Sequence, residues 1–279
     1  MKCFFVSDLH GQISRYESLI TEIKNILPDV VLFGGDLLPG FSSMFGDFIN
    51  EYLIPKFTDL KKELKENYPK IFIIMGNDDP RIEENKIIEA EQKGIWNYLN
   101  NKKITFAGWD FYGYSFVPPS PFRLKDWEKF DVSRYVDIGC ISPLEGMRTV
   151  KIDPMEIEFY TIAKDLKKLM QDDLSKAICL FHAPPYQTHL DRAALDGRMI
   201  DNVQVDVHVG SIAIKNLIAD QQPKITLHGH IHESSRITGN WQQKTKDTIS
   251  LSAAWDGAEL ALVKFDPEFP EKAERILLD

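Results

Sequence analysis

The sequence predicts an α/β layered fold, and three observations carry that prediction. Short apolar runs of buried-strand type recur along the chain, stretches of helical periodicity separate them, and polar residues fall just beyond the ends of the runs. Residues 3–6 form the first run, stopped by Ser7-Asp8. Leu19, Ile20, Ile23, Ile26 and Leu27 then fall at helical spacing, which predicts a helix over residues 15–26 with Ser14 as its N-cap. Residues 30–33 read as a second strand. The stretch 45–67 is helical in pattern, but Pro55 lacks an amide hydrogen and must kink or divide it. Residues 71–75 read as a third strand and 81–93 as a helix after it.

Residues 109–148 break this alternation. They are rich in aromatics and Pro and show no helical period before Asp126, so an irregular excursion is expected near 109–150. Beyond it, Asp153-Pro154 opens a helical pattern running to Met170. A strand over 177–181, a helix over 211–219 and a strand over 225–227 follow. The tail, 249–265, reads as two strands joined around Asp256-Gly257, a hairpin signal. With no repeat or low-complexity segment, a single domain over residues 1–279 with one excursion is expected.

Bulk properties narrow the function. The 279 residues are 43% hydrophobic, ample for a core. The net charge of −9, from 33 basic and 42 acidic residues, has the wrong sign for a binder of long nucleic acid. A small phosphate ester stays admissible, because bound divalent ions reverse the local field. Cys3, Cys140 and Cys179 are widely separated and odd in number; Cys3 and Cys179 lie in apolar runs and are expected to be buried thiols. The first residues read as a strand rather than a signal peptide, and no stretch approaches the ~18 apolar residues of a membrane span. These features predict a reduced, cytoplasmic, soluble protein and leave its oligomeric state open.

The polar residues past the strand ends carry the chemistry. Asp8, Asp36, Asn77 and His182 each follow an apolar run closely, on the sheet edge where the loops of an α/β fold converge. Asp8 and His10, and again His230 and His232, are two residues apart, so an extended segment aims both of each pair at one place. Four of the chain's seven histidines belong to this set. Carboxylate, imidazole and amide oxygen are the mixed donors that Mn, Fe or Zn accept. Two such ions held close together activate a water and clamp the oxygens of an in-line phosphoryl displacement. Singly, each residue has an ordinary structural reading; jointly, they point to one dinuclear site. His228 is expected in the core or behind the ligands, and His189 and His208 as hydrogen-bonded structural residues.

The order Asp8-Leu9-His10, Gly35-Asp36, Gly76-Asn77-Asp78-Asp79, His182 and Gly229-His230-Ile231-His232 resembles the calcineurin-like metallophosphoesterases. The segments running from His182 to Asp191, from His208 to Ser211 and from His228 to Ser234 resemble its Icc-related branch. The resemblance implies a four-layer α/β/β/α sandwich. It also implies two divalent ions, Mn2+ first with Fe or Zn as alternatives. Asp8, His10 and His232 would hold one ion, Asn77, His182 and His230 the other, and Asp36 would bridge them. Many relatives carry a histidine after the Asn, assigned to the phosphoryl oxygens and to protonating the leaving group; here Asp78 stands there. Either Asp78 has a raised pKa and serves as the acid, or the substrate needs little acid help, as a diester monoanion would. Asp36 and Asp78 are therefore the expected catalytic residues, and Asn77, Arg123 and Tyr186 the expected substrate contacts.

The aromatics of 112–127, with Arg123 and Lys125, could stack a nucleobase over the metals or simply pack the excursion. Thr188 and Asp191 could line the cleft or cap a turn, and Glu233 and Ser234 could orient a ligand histidine. The expected partner is a small-molecule phosphate ester. Alternatives are a phosphomonoesterase or protein phosphatase, a nuclease, or a metal-binding interaction scaffold.

Overall fold

The computed structural model describes residues 1–40 and 46–279. β1 (Cys3–Val6), α1 (Ile13–Ile26), β2 (Val30–Gly34), α2 (Ile54–Leu64), β3 (Lys70–Ile74), α3 (Glu84–Gln92) and the short β4 (Asn97–Tyr98) form the first half. Their strands are parallel, because each helix returns the chain to the edge where the last strand began. β5 (Lys102–Phe106) and β6 (Trp109–Tyr114) pair antiparallel and open a second sheet. Next come α4 (Pro154–Phe159), α5 (Ile162–Leu169), β7 (Ala177–Phe181), the small hairpin of β8 (Met199–Ile200) and β9 (Val203–Gln204), and α6 (Ile212–Gln221). β10 (Ile225–His228), α7 (Ser234–Thr238), β11 (Gln242–Thr245) and β12 (Thr248–Ser252) complete the second sheet, and β13 (Leu260–Phe265) and β14 (Glu274–Leu278) return to the first.

The sheets have the strand orders β14-β13-β1-β2-β3-β4 and β11-β12-β10-β7-β6-β5. Alternation along each strand explains how they stack. Cys3, Phe5, Leu32 and Phe72 of the first sheet meet Phe111, Ile178, Leu180 and Leu227 of the second in one buried layer. Phe72 and Phe111 stack across it at 4.4 Å between ring centroids. The intervening residues, such as Phe4, Val31 and Ile73, face the other way beneath Leu19, Phe57 and Ile87 of the helices. α5 and α6 cover the second sheet's outer face, where Tyr114 donates to Asp165 at 2.8 Å. The architecture is the expected four-layer α/β/β/α sandwich, and Cys3 and Cys179 are buried free thiols within it.

Several local expectations need correction. Gln12, not Ser14, occupies the α1 cap, and its side chain makes no capping bond. Phe45 lies outside the described residues; from Ile49 the chain makes a π turn that runs directly into α2, and Pro55, which has no N–H to give, falls just after this change of helical register. The helix expected over 153–170 is two, α4 capped by Asp153 and α5 capped by Thr161. The excursion begins after Tyr114, since 109–114 is the regular strand β6, parallel to β7. The tail is no hairpin: β12 pairs with β10 in one sheet and β13 with β1 in the other. Its Asp256-Gly257 turn is a crossover between sheets.

The excursion packs with its polar groups satisfied. Lys125 and Glu128 are fully buried and paired at 2.5 Å, and Ser120 binds both through its carbonyl, amide and hydroxyl. Burial pushes the Glu128 carboxyl up to about 7 even beside Lys125. Removing one partner of such a pair leaves an uncompensated charge, so Lys125→Met is expected to lower stability by about 3–5 kcal/mol at pH 8. Because the folded-state pKa lies above the unfolded value, the folded state prefers the neutral acid, and the penalty fades as the pH falls below it. Denaturation at pH 8 and pH 5 checks this; equal losses at both would overturn it.

Candidate metal centre

The parallel strands β1, β2 and β3 of one sheet and β7 and β10 of the other deliver their C-terminal ends to a common edge. The loops there bring two donor groups together: Asp8, His10, Asp36 and His232, and Asp36, His182 and His230, the donor atoms of each within 4.8 Å of one another. Asp36 belongs to both. Asn77 joins the second group, with Oδ1 3.0 Å from His182 Nε2.

The loops reach this arrangement by unusual backbone. Asp8 (φ 58°), His10 (φ 47°), Asp36 (φ 51°) and His230 (φ 74°) all adopt the left-handed conformation, unfavourable by about 1–2 kcal/mol for a residue with a Cβ. Gly76 is required by close approach: a Cβ there would lie 2.3 Å from Asp36 Oδ1. Asp79, fully buried, ties two of the loops by accepting from Leu37 N at 2.9 Å, Leu38 N at 2.7 Å and Gly76 N at 2.9 Å. Burial, then Asp36, pushes its carboxyl up to about 7 against those amides.

Hydrogen bonds set which atoms face inward. His182 Nδ1 lies 2.7 Å from the Gly34 carbonyl, which only accepts, so Nδ1 carries the proton and Nε2 faces Asp36 Oδ2 at 3.2 Å. Asp8 accepts from His230 N at 3.0 Å and lies 3.3 Å from His232 Nε2. The Nε2 atoms of His10 and His232 approach to 3.2 Å.

The electrostatics follow from burial and these neighbours. Burial opposes charge on His182, but Asp36 and Asp8 outweigh it and raise the imidazole to about 10; His232 rises to about 9 against its own burial, chiefly through Asp8. Burial and then His182 lower His230 to about 3. Asp8 and Asp36 resist the upward push of burial and fall below the usual carboxylate range, Asp8 mainly through His232 and Asp36 through His182. Two protonated imidazoles thus offset two carboxylates, and a divalent cation binding there displaces those protons. Carboxylate, imidazole and amide oxygens facing one small space fit divalent ions of the Mn, Fe and Zn type.

Asp78 sits at the rim with its side chain 47% exposed. Its amide donates to Asp36 Oδ1 at 2.7 Å, its Oδ1 accepts from Asn77 Nδ2 at 3.0 Å, and its Oδ2 is 3.8 Å from His10 Nδ1. Burial and then Asp36 raise its pKa.

The other expected residues have partners of their own. Arg123 is exposed on the excursion, where its carbonyl accepts from Met147, and no contact among the described residues joins it to the cluster. Tyr186 donates to Asp206 at 2.6 Å. Tyr112, Tyr114, Phe116 and Trp127 are buried and pack the fold, whereas Phe122 is 57% exposed. Asp191 organises its own loop, accepting from Gln187, Thr188, Gly210 and His208, and Glu233 accepts from Ala194 N. His228 is buried outside the cluster, between the Ala183 carbonyl and the Thr226 hydroxyl. Sequence reasoning missed Asp79 as a tie between loops and the buried Arg15, whose one sequence signal is a charge four residues before Leu19 on the apolar face of α1.

Comparison with known proteins gives a consistent picture. No curated protein matches the chain. One solved structure superposes with a TM-score of 0.62 at 16% identity, covering 100% of this chain and 99% of its own. The TT1561 protein of Thermus thermophilus gives 0.56 at 14% identity, with 100% and 99% covered. Phosphopantetheinyl hydrolase of Mycobacterium tuberculosis gives 0.50 at 13% identity, with 100% and 96% covered. At these identities the likeness is one of fold. A family model described as calcineurin-like phosphoesterase matches residues 1–234, the span that holds every donor of the cluster, and the chain belongs to that family.

Proposed function

We propose that this protein hydrolyses a small phosphodiester, a nucleotide among the candidates, at a dinuclear metal centre. Family membership already implies a phosphoric ester hydrolase. The observation that supports the finer reading is the convergence of two donor groups on a shared Asp36. In this reading Asp8, His10 and His232 hold one divalent ion, Asn77, His182 and His230 the other, and Mn2+ is the first metal to test. When bound, the two ions supply a water nucleophilic at neutral pH and neutralise phosphoryl charge.

The chain's own groups determine what binds. Asn77 turns its oxygen toward His182 and its Nδ2 toward Asp78, so its amide orientation is fixed from both ends. Asp78 carries no positive charge in either protonation state, so a phosphoryl dianion meets no cationic side chain at that position. A monoanionic diester suffers less from its proximity. Arg123 and Tyr186 are not needed for this reading.

The test compares bis(4-nitrophenyl) phosphate with 4-nitrophenyl phosphate, using protein stripped of metal and reloaded with Mn2+. The diester is expected to be cleaved faster. Faster cleavage of the monoester would overturn the diesterase reading.

A further inference from the structure

Arg15 is 6% exposed, at the start of the apolar stripe of α1. Its guanidinium binds three backbone carbonyls: Nη1 donates to Asp8 O at 2.6 Å, Nη2 to Gly257 O at 2.6 Å, and Nε to Ala258 O at 3.4 Å. The first fixes the peptide plane between Asp8 and Leu9, inside a segment whose Asp8 and His10 are both left-handed. The other two grip the crossover 253–259 that carries the chain from β12 to β13. A second arginine grips the same crossover: Arg236 of α7 binds Asp256 Oδ2 at 2.7 Å. α7 begins two residues after His232.

The loop bearing Asp8 and His10 and the loop bearing both His230 and His232 are therefore each tied by an arginine to one crossover. That crossover lies outside the family-matched span of residues 1–234. Among the described residues no arginine ties the loops that present Asn77 and His182 to that crossover; Asp79 and the Gly34 carbonyl support them instead.

We infer that Arg15 is a positioning residue for one ion of the pair, the one held by Asp8, His10 and His232, and that the crossover 253–259 is the fixed point it works against. This rests on the dinuclear reading above. The fork geometry matters as well as the charge: one ammonium group cannot span carbonyls on two separate segments as a guanidinium does.

The test titrates metal-free protein with Mn2+ by calorimetry, checking each variant's fold by circular dichroism. Wild type is expected to take two ions. Arg15→Lys is expected to weaken one of them by about 10–100-fold, the range found when a group behind a ligand is lost, and to leave the other unchanged. In a His232→Ala background, where that ion's site is already broken, Arg15→Lys should add no further loss. Arg236→Gln, a surface change at the second tie, lies nearer in sequence to His232 than to His230, should weaken the same ion more than the other, and carries the test if Arg15→Lys does not fold. Fewer than two ions on wild type would overturn the dinuclear reading itself. Two ions on wild type, with both weakened alike or neither weakened by these variants, would overturn the positioning role alone.

Discussion

Asp36→Ala is expected to remove turnover almost completely, by a factor on the order of 10³ or more, while the protein stays folded. Asp36 is the one residue in both donor groups, it faces His182 Nε2 at 3.2 Å, and its Oδ1 anchors the amide of Asp78. In the proposed dinuclear centre its loss would remove a donor from each ion and the negative charge that would offset their mutual repulsion. A barrier increase of about 4 kcal/mol, within the several kcal/mol that metal assistance supplies, corresponds to about 10³ in rate. The fold should tolerate the change, because the aspartate follows β2 rather than lying within it. Metal analysis and steady-state kinetics on the same preparation check the result. Retained activity with two bound ions would exclude Asp36 as the shared ligand.

The second large effect concerns substrate choice. Asp78→His is expected to raise the rate on a monoester with a poor leaving group, such as phenyl phosphate, by about 10²-fold, the lower end of general acid catalysis. The same change should alter diester cleavage much less. The backbone at this position is fixed by the hydrogen bond its N–H donates to Asp36 Oδ1, independently of the Asp78 side chain, so an imidazole would be presented at the rim without remodelling the loop. A cationic imidazole beside His10 would also attract the dianion that a carboxylate turns away. The ratio of kcat/KM for matched monoester and diester is the readout. An unchanged ratio would mean that Asp78 has no part in selecting between them.

How much of this was legible beforehand depended on the kind of signal. Strands β1 and β7 were placed to the residue, because each is a closed apolar run bounded by polar residues. β5, β11 and β14 went unseen because they lie at or near sheet edges, where Lys102-Lys103, Gln242-Gln243 and Glu274-Arg275 give no apolar period. The tail was misread because a turn signal at Asp256-Gly257 reports that the chain bends, and not which sheet it joins afterwards. The donor residues could be read because their types and order are sparse and repeated at strand ends. Arg123 and Tyr186 were named on residue type within plausible segments; Arg123 lies on an exposed loop and Tyr186 donates to Asp206. Arg15 and Asp79 act through backbone carbonyls and amides, which leave no trace in side-chain spacing.

The crossover from β12 to β13 also bears on synthesis. β1 is made long before the strand that pairs along one of its edges, β13, which ends at Phe265. At about 5–20 residues per second, roughly 13–50 s pass before that partner exists. Through that interval the nascent chain carries Cys3-Phe4-Phe5-Val6 with one side of its backbone unpaired, an adhesive edge for other nascent chains and a natural landing place for a holdase chaperone.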